Sequence, residues 1–390
     1  MGQITYIDTA GISEKKVLLR ADFDVSLNQN HTIANDLRIQ KNIPTIKKLL
    51  ADKNKVICVG HLGRPEGRDE TYSLQIVADR LQHLLPEVTV TLIHDFLTEP
   101  QETFANQQTN QILVLENIRF YPQELDKDPE FAKKLASLAD VFVEDAFDVC
   151  HREQTSVTEV AKLIPSYGGL ALKEEVVAID KVLQETEKPF IAIIGGAKVE
   201  TKIGVIKKFL DIADTLLIGG ALANTFFAAQ GKEIGTSLFD SQYIDEAKQL
   251  LQLAAEKNKT ILFPIDVVIQ QETNTIVCKA SRVPQNASIF DIGPETQAIW
   301  GETIAMGHTI VWNGPVGDTT KPEFSRGTDF LYYAITQNPH VYSLIGGGDT
   351  ITAIEKEEYL EKISHISTGG GAMLEYIEKG TLPGLEVLKR

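Results

Sequence analysis

Residues 342–355 read YSLIGGGDTITAIE, and the parsing of this stretch decides the fold. Tyr342 to Ile345 form a short strand-like apolar run, followed by Gly346, Gly347 and Gly348, then Asp349 and Thr350, then a helical run through Ile354, Glu355 and Lys356. A strand that ends in glycines and turns at once into a helix aims backbone N–H groups and the positive end of the helix dipole at one spot, which suits a phosphate. Glycine removes the Cβ that would block close approach, and Asp349 supplies a hard oxygen suited to Mg2+. A single turn of this kind also reads as an ordinary strand-to-helix connection with Asp349 as its N-cap. The remainder of the chain has to decide between the two.

At 390 residues the chain is too long for one ordinary core and is expected to form two domains. No run of 18 apolar residues occurs, so no membrane-spanning helix is expected, and the start MGQITYIDTAG lacks a basic stretch leading into an apolar one. The expected location is the cytoplasm. Cys58, Cys150 and Cys278 are scattered and odd in number, which fits a reducing compartment without a disulfide framework. The net charge is −16, and residues 1–168 carry 18 Lys+Arg against 25 Asp+Glu. Neither half offers a basic face for nucleic acid. Seven of the ten arginines nevertheless lie in the first half, so their placement matters.

Four apolar runs there, Val17–Leu19, Val56–Val59, Ile112–Leu115 and Val141–Val143, alternate with amphipathic stretches and predict buried parallel strands of a doubly wound α/β sheet. Each run ends in polar residues: Arg20, Asp22, Phe23 and Asp24 after the first; His61, Leu62, Gly63 and Arg64 after the second. Glu116, Asn117 and Arg119 follow the third, and Glu144, Asp145, His151 and Arg152 the fourth. Loops at the carboxyl ends of parallel strands line the ligand crevice. Arg64, Arg119, Arg152 and His61, joined by Arg38 in NDLRIQ, are therefore expected to converge on a small phosphorylated carboxylate through forked hydrogen bonds. Cys150 beside His151 also admits a thiol–base reading, which sequence neighbours seldom satisfy geometrically.

Proline and glycine around the helical stretch Leu170 to Leu183 mark an interdomain connector. Beyond it, strand-like runs end in glycine rather than arginine. Phe190–Ile194 leads into Gly195, Gly196, Ala197 and Lys198; Leu216–Ile218 into Gly219 and Gly220; Ile261–Phe263 into Pro264; Thr309–Val311 into Trp312, Asn313, Gly314 and Pro315; and Ile363–Ile366 into Gly369, Gly370 and Gly371. Such open turns around one crevice would admit a nucleotide. Neither a P-loop nor a dinucleotide fingerprint is present. Lys198 and Lys202, four apart, are expected on one face of a helix that starts at Gly195 and Gly196, both aimed at the transferring phosphate.

From end to end the chain resembles phosphoglycerate kinase. The matching segments are RADFDVSL (20–27), GHLGRP (60–65), ENIRF (116–120), EDAF (144–147) with HR (151–152), GGAKVETK (195–202), GGALANTF (219–226), DIGPET (291–296), WNGPVG (312–317), GGGDT (346–350), HISTGGGA (365–372) and LPG (382–384). The resemblance implies two doubly wound parallel-sheet, Rossmann-like α/β domains joined by a hinge helix. The first, 1–168, would bind substrate; 169–183 would be the connecting helix; 184–372 would bind Mg-nucleotide; and 373–390 would pack back on the first domain. It further implies a reversible transfer from 1,3-bisphosphoglycerate to ADP, giving 3-phosphoglycerate and ATP, by a monomer.

By that resemblance Asp22, Phe23 and Asp24 orient the glycerate end, while His61, Leu62, Gly63, Arg64, Arg119 and Arg152 hold its 3-phosphate. Arg38 and Lys202 stabilise the moving phosphoryl, aided by the backbone of Gly370 and Gly371. Asp349 holds Mg2+, and Gly196, Ala197, Lys198, Gly220, Asn313, Pro315, Thr320, Gly346, Gly347, Gly348 and Thr350 surround the nucleotide. Hinge closure, a family trait, would expel water.

Three places depart from the pattern. Asp24 stands where asparagine is expected, placing a negative charge beside an anionic substrate. Asp148, Val149, Cys150, Glu153 and Gln154 replace small residues and a second histidine. Asp318, Thr319 and Thr320 replace a hydrophobic residue, a phenylalanine and the glutamate that accepts from the ribose, so a weaker nucleotide affinity is expected. A kinase for another acyl phosphate, or a nucleotide-binding protein without turnover, are the alternative readings.

Overall fold

The computed structural model describes residues 2–354 and 357–389. Glu355 and Lys356, assigned above to a helical run, lie outside the described residues. The chain divides into two compact units, Met1–Val177 with Thr381–Arg390, and Ala178–Gly380. The division falls within the helix Leu170–Gln184 rather than at its ends. Residues 373–380, expected to pack back on the first domain, stay with the second unit. There the helix Gly371–Lys379 is pinned by Tyr376, whose hydroxyl donates to Asp180 Oδ1 at 2.9 Å, and by Glu378, which lies against Gly204.

The first unit is built on a six-stranded parallel sheet in the order Thr89–Ile93, Gln111–Leu115, Lys55–Val59, Lys16–Arg20, Val141–Glu144, Ser166–Gly168. The central strands are buried along nearly their whole length because helices cover both faces. Val17, Leu19, Val56, Cys58, Val114 and Val143 form the middle of its core. Each such side chain contributes about 1.5–3 kcal/mol through removal from water. The order reverses direction between Lys16–Arg20 and Val141–Glu144. A ligand crevice is expected beyond the carboxyl ends of those two strands.

The second unit repeats the plan with the order Thr260–Leu262, Thr215–Ile218, Phe190–Ile194, Thr309–Asn313, Tyr342–Gly346, His365–Ser367, all parallel. Its reversal lies between Phe190–Ile194 and Thr309–Asn313, so the segments that begin at Gly195 and Gly314 face each other. Trp312 and Tyr332 pack with ring centroids 4.5 Å apart in the core beneath them. A separate antiparallel sheet, Asn274–Lys279, Asp266–Gln271, Ala287–Ile292, was not expected from the sequence. Its outer strand leaves Ile276 and Val277 exposed, so it lacks the buried apolar run by which the other strands were recognised. Among the described residues no helix is long and apolar enough to cross a membrane.

Candidate functional site

In the first unit the crevice is assembled by buried polar ties. Asn42, on the helix Leu37–Ala51, donates from Nδ2 to the carbonyls of Asp22 (3.2 Å) and Arg38 (2.7 Å), while its Oδ1 accepts from the Asp22 N–H. This fixes the end of strand Lys16–Arg20 against the first helical turn. Arg38 Nη1 accordingly reaches both Asp22 oxygens, at 2.9 and 2.7 Å, and Asp148 Oδ2 at 3.4 Å. Burial alone would lower the proton affinity of Arg38, but Asp22, Asp148 and Asp24 overcome it and raise it, so the guanidinium stays charged.

Asn117 performs the same service for the neighbouring loops. Its Nδ2 donates to Leu62 and Tyr72 carbonyls, its Oδ1 accepts from the Arg119 N–H, and Arg119 Nη1 then donates to the Gly63 carbonyl at 2.7 Å. Arg119 is buried, and burial together with the charges of Arg152, Arg20 and Arg64 lowers its pKa to about 10 despite Asp24. The strand-end arginines therefore lie within electrostatic reach of one another. Arg64 is exposed, Arg152 is half-buried, and Phe23 and Leu62 are fully buried, supporting the loops instead of facing solvent.

Arg20, at the end of the first run, has a role that its sequence position does not reveal, because a buried arginine looks there like an exposed one. It is fully buried, donating from Nε to Ser156 Oγ, from Nη1 to the Ala21 carbonyl and from Nη2 to His61 Nδ1 at 3.1 Å. Since a guanidinium only donates, Nδ1 must accept and the imidazole proton sits on Nε2, 3.5 Å from Asp24 Oδ2. Burial, with Arg20 and Arg119 adding to it against Asp24, lowers His61 to about 4, so the ring is neutral. Asp24 Oδ1 also accepts from the Gly63 N–H at 2.8 Å. Burial pushes Asp24 up, but His61, Gly63 and Arg38 prevail and hold it well below the usual carboxylate range. Asp24, His61 and Asp148 bring ligand atoms within 4.8 Å of one another. The proton on Nε2 leaves that nitrogen a donor and not a metal ligand. Cys150 is buried and its thiol pushed well up by burial, by Glu144 and by Asp148, which removes the nucleophile reading.

In the second unit the glycines do something other than expected. Gly195, Gly196, Gly220 and Gly314 spend their N–H groups on Asn313, Pro315 and Val316 carbonyls and on Thr350 Oγ1, so they are not phosphate donors. Their role is close approach of three turns: Gly314 has φ +89°, and a Cβ there would stand 2.5 Å from the Gly195 carbonyl oxygen. Donors remain at the first turns of the helices Gly348–Thr352 and Gly371–Lys379, whose leading N–H groups have no intrahelical acceptor. The first has only five residues, and Gly347 at φ +108° makes its sharp entry.

Lys198 and Lys202 precede the helix, which begins only at Ile203, so the expected shared helical face does not exist. Lys198 is exposed. Lys202 is buried, and its Nζ is tied to the Gly195 carbonyl between the turns. Burial lowers Lys202 to about 8 against the pull of Asp349.

These turns open on a cavity of about 740 Å³, a volume suited to a small organic ligand. Gly196, Ala197, Gly220, Pro315, Thr320 and Asp349 line it. Its far wall is apolar, with Phe227, Leu238, Val267, Ile289 and Phe290. Asn313 and Thr350 stand behind the lining as braces: Asn313 donates to the Gly346 carbonyl, and Thr350 accepts from Gly314. Gly346 lies under Met373, while Gly348 and Gly371 leave open space above their Cα atoms and a Cβ on Gly370 would meet Gly347 Cα at 3.9 Å.

Comparison with known proteins points to one family. The phosphoglycerate kinase family profile matches residues 7–380. Phosphoglycerate kinase of Dictyoglomus turgidum is 42% identical over 379 residues, covering 96% of each chain, and that of Pelotomaculum thermopropionicum is 41% identical over 98% of this chain and 97% of its own. Among solved structures, phosphoglycerate kinase from Coxiella burnetii superposes with TM-score 0.84 at 38% identity, covering 99% of this chain and 98% of that one; the Pyrococcus horikoshii protein gives 0.87 at 29%, with the same coverage. With two six-stranded parallel sheets and matches that run nearly its whole length, the chain belongs to the phosphoglycerate kinase family.

Proposed function

We infer that the protein is a phosphotransferase with a carboxyl group as acceptor, interconverting 1,3-bisphosphoglycerate and ADP with 3-phosphoglycerate and ATP. One observation carries this reading. In a chain with relatives of that name at 41–42% identity, a guanidinium cluster lies at the switch point of one sheet and a glycine-walled cavity at that of the other.

We assign the phosphoglycerate to the first unit. Arg64, Arg119 and Arg152 would hold its 3-phosphate with His61, which reaches it as an Nε2–H donor. Asp22 sets Arg38, and Arg38 would meet the charge that develops on the moving phosphoryl. In that transfer a terminal phosphate oxygen of ADP bonds to the acyl phosphorus as the phosphorus–oxygen bond to the carboxyl group breaks. The leaving carboxylate is ionised at neutral pH, so no general base is required. Positive charge and position are what the site must supply.

We assign the nucleotide to the cavity of the second unit, with the helix starts at Gly348 and Gly371 toward its phosphates and Lys202 and Lys198 beside them. Asp349, an exposed carboxylate in the lining, has the hard oxygen donor that Mg2+ takes, so the residues present fit that ion. Mg2+ bound there would neutralise phosphate charge. The helix Leu170–Gln184 is our assignment for the hinge.

A coupled assay with 3-phosphoglycerate and Mg-ATP tests the reading. Turnover that vanishes in Arg38→Ala is the expected result. Mg-ATP binding without turnover on this acid would overturn it.

A further inference from the structure

Three carboxylates of the first unit act on the Arg38 guanidinium, and they differ in how well they are paired. Asp22 holds Nη1 with both oxygens, at 2.9 and 2.7 Å. Asp24 has the Gly63 N–H on Oδ1 and the His61 ring near Oδ2. Asp148, in the short turn Phe147–Val149 that follows the strand Val141–Glu144, has neither arrangement. Its Oδ2 stands 3.4 Å from Arg38 Nη1, longer than a charge-assisted hydrogen bond, and its Oδ1 is buried without a hydrogen-bond partner among the described residues. Only 9% of the side chain is exposed, so water does little to make up the difference.

A buried carboxylate that lacks a donor on one oxygen and has like charges beside it gains by accepting a proton. The groups that face Asp148 set the balance. The end of the strand Lys16–Arg20 brings Asp22 and Asp24, which favour the proton, and Arg20, which opposes it. Arg38, from the helix Leu37–Ala51, opposes it too, and the loop after Lys55–Val59 brings the neutral ring of His61. On its own segment Glu144 and Cys150 are neighbours, their carboxyl and thiol both pushed well up by burial. Burial, with Asp22 and Asp24, prevails over Arg38 and Arg20 and pushes Asp148 up to about 7. Asp145 is also pushed up to about 7 by burial, but its Oδ1 is engaged elsewhere, by the N–H groups of Ala171 and Leu172.

Asp148 is one of the departures from the family pattern noted in the sequence, standing in a segment where small residues are expected. It therefore adds something to this chain's crevice. Ionised, it shares Arg38 Nη1 with Asp22 and draws the guanidinium toward the end of the strand Val141–Glu144. Protonated, it exerts no such pull. A bound polyanion beside it favours the protonated form further, because like charges in one crevice disfavour ionisation.

We propose that Asp148 is a positioning residue for Arg38: it takes up one proton from solvent as the phosphorylated carboxylate binds, and so yields its share of the guanidinium to the incoming anion. This rests on the reading of the first unit as the phosphoglycerate site. The sign follows from the two forms. Below the titration of Asp148 the carboxyl is already neutral and the acid binds at its tightest; as pH rises through that titration, binding has to carry a proton in with it and weakens.

The test is isothermal titration of the full chain with 3-phosphoglycerate at about pH 6.5 and pH 8.5, and at about pH 7.5 in two buffers of different ionisation heat, which counts the protons taken up. A rise of about tenfold in the proton affinity of Asp148 on binding weakens the wild-type affinity about sixfold between the two pH values and takes up about half a proton at pH 7.5. In Asp148→Asn, which keeps the shape and removes the charge, the affinity at the higher pH should rise to the wild-type value at the lower one, the pH ratio should fall within about twofold, and the uptake should fall close to zero. Asp148→Ala should do the same, and thermal melts of both variants at both pH values verify the fold. A pH ratio and an uptake that persist in the variants overturn the proposal, as does a wild-type affinity that ignores pH; in either case the phosphoglycerate reading stands. If the wild-type protein does not bind the acid, that reading fails and takes this proposal with it.

Discussion

The two crevices sit at the same topological place, beyond the strands where the order of each sheet reverses, yet they are made of opposite materials. The first is made of side chains: guanidiniums held by Asp22, Asp24 and Asp148 and by buried amides. The second is made of main chain, with three glycine turns pressed together and one buried lysine between them. A shared sheet plan thus sets where ligands go, while what binds them depends on the few residues after each strand. The first crevice is broken by taking groups away, the second by adding them.

The largest effect should come from Arg38→Ala. It removes charge at the reacting group and leaves Asp22 and Asp148 without their guanidinium; we expect kcat to fall by about 10³-fold. Arg38→Lys should recover little, because a single ammonium held by Asp22 lacks the further N–H groups that the planar guanidinium carries beyond the Nη1 engaged with both Asp22 oxygens. Steady-state rates beside thermal melts separate this from unfolding.

Arg119→Ala should raise KM for 3-phosphoglycerate by about 30-fold with a smaller change in kcat, and Arg64→Ala, at an exposed position, by less. An equal effect of the two would contradict the ranking by burial. In the second crevice the counterpart is Gly314→Ala. The new Cβ meets the Gly195 carbonyl at a backbone angle that disfavours side chains, so nucleotide affinity should drop about tenfold, with 3-phosphoglycerate affinity untouched.

Lys202 sharpens the contrast through pH. Its pKa, lowered by burial to about 8, means that charge is lost as pH rises through that value. Rates at subsaturating nucleotide should therefore fall about tenfold from pH 7 to pH 9. Lys202→Arg, which does not titrate there, should flatten that limb even if its rate is lower. The smallest effect is reserved for Asp24→Asn. Removing a charge beside the substrate should tighten 3-phosphoglycerate by about fivefold, against the loss of the Nε2–H acceptor for His61. A weaker KM in that variant would mean that orienting His61 matters more than the repulsion.

The sequence disclosed the buried strands best, because Val17–Leu19, Val56–Val59 and Phe190–Ile194 are covered on both faces and so are uniformly apolar. It concealed Thr89–Ile93, an edge strand whose threonines face partly outward, and Ser166–Gly168, whose neighbouring proline and glycines read as punctuation. The site was legible as residue types at strand ends. What those residues do there was not. Nothing in the string GGAKVETK says that the lysines precede the helix or that the Gly195 and Gly196 N–H groups are spent on the Asn313 and Pro315 carbonyls. Burial and partner choice separate Lys202 from Lys198 and Arg20 from Arg64, and both depend on neighbours distant in the chain.

The last residues of the chain have a bearing on how the protein is made. Leu385 and Leu388 are buried in the first unit, the Gly384 N–H donates to the Cys150 carbonyl, and Ile4 bridges to Lys389. Synthesis on the ribosome runs from the other end, so the earliest unit to emerge is the last to be finished. It must wait, with the surface around Cys150 uncovered, until the whole of the later unit has been translated.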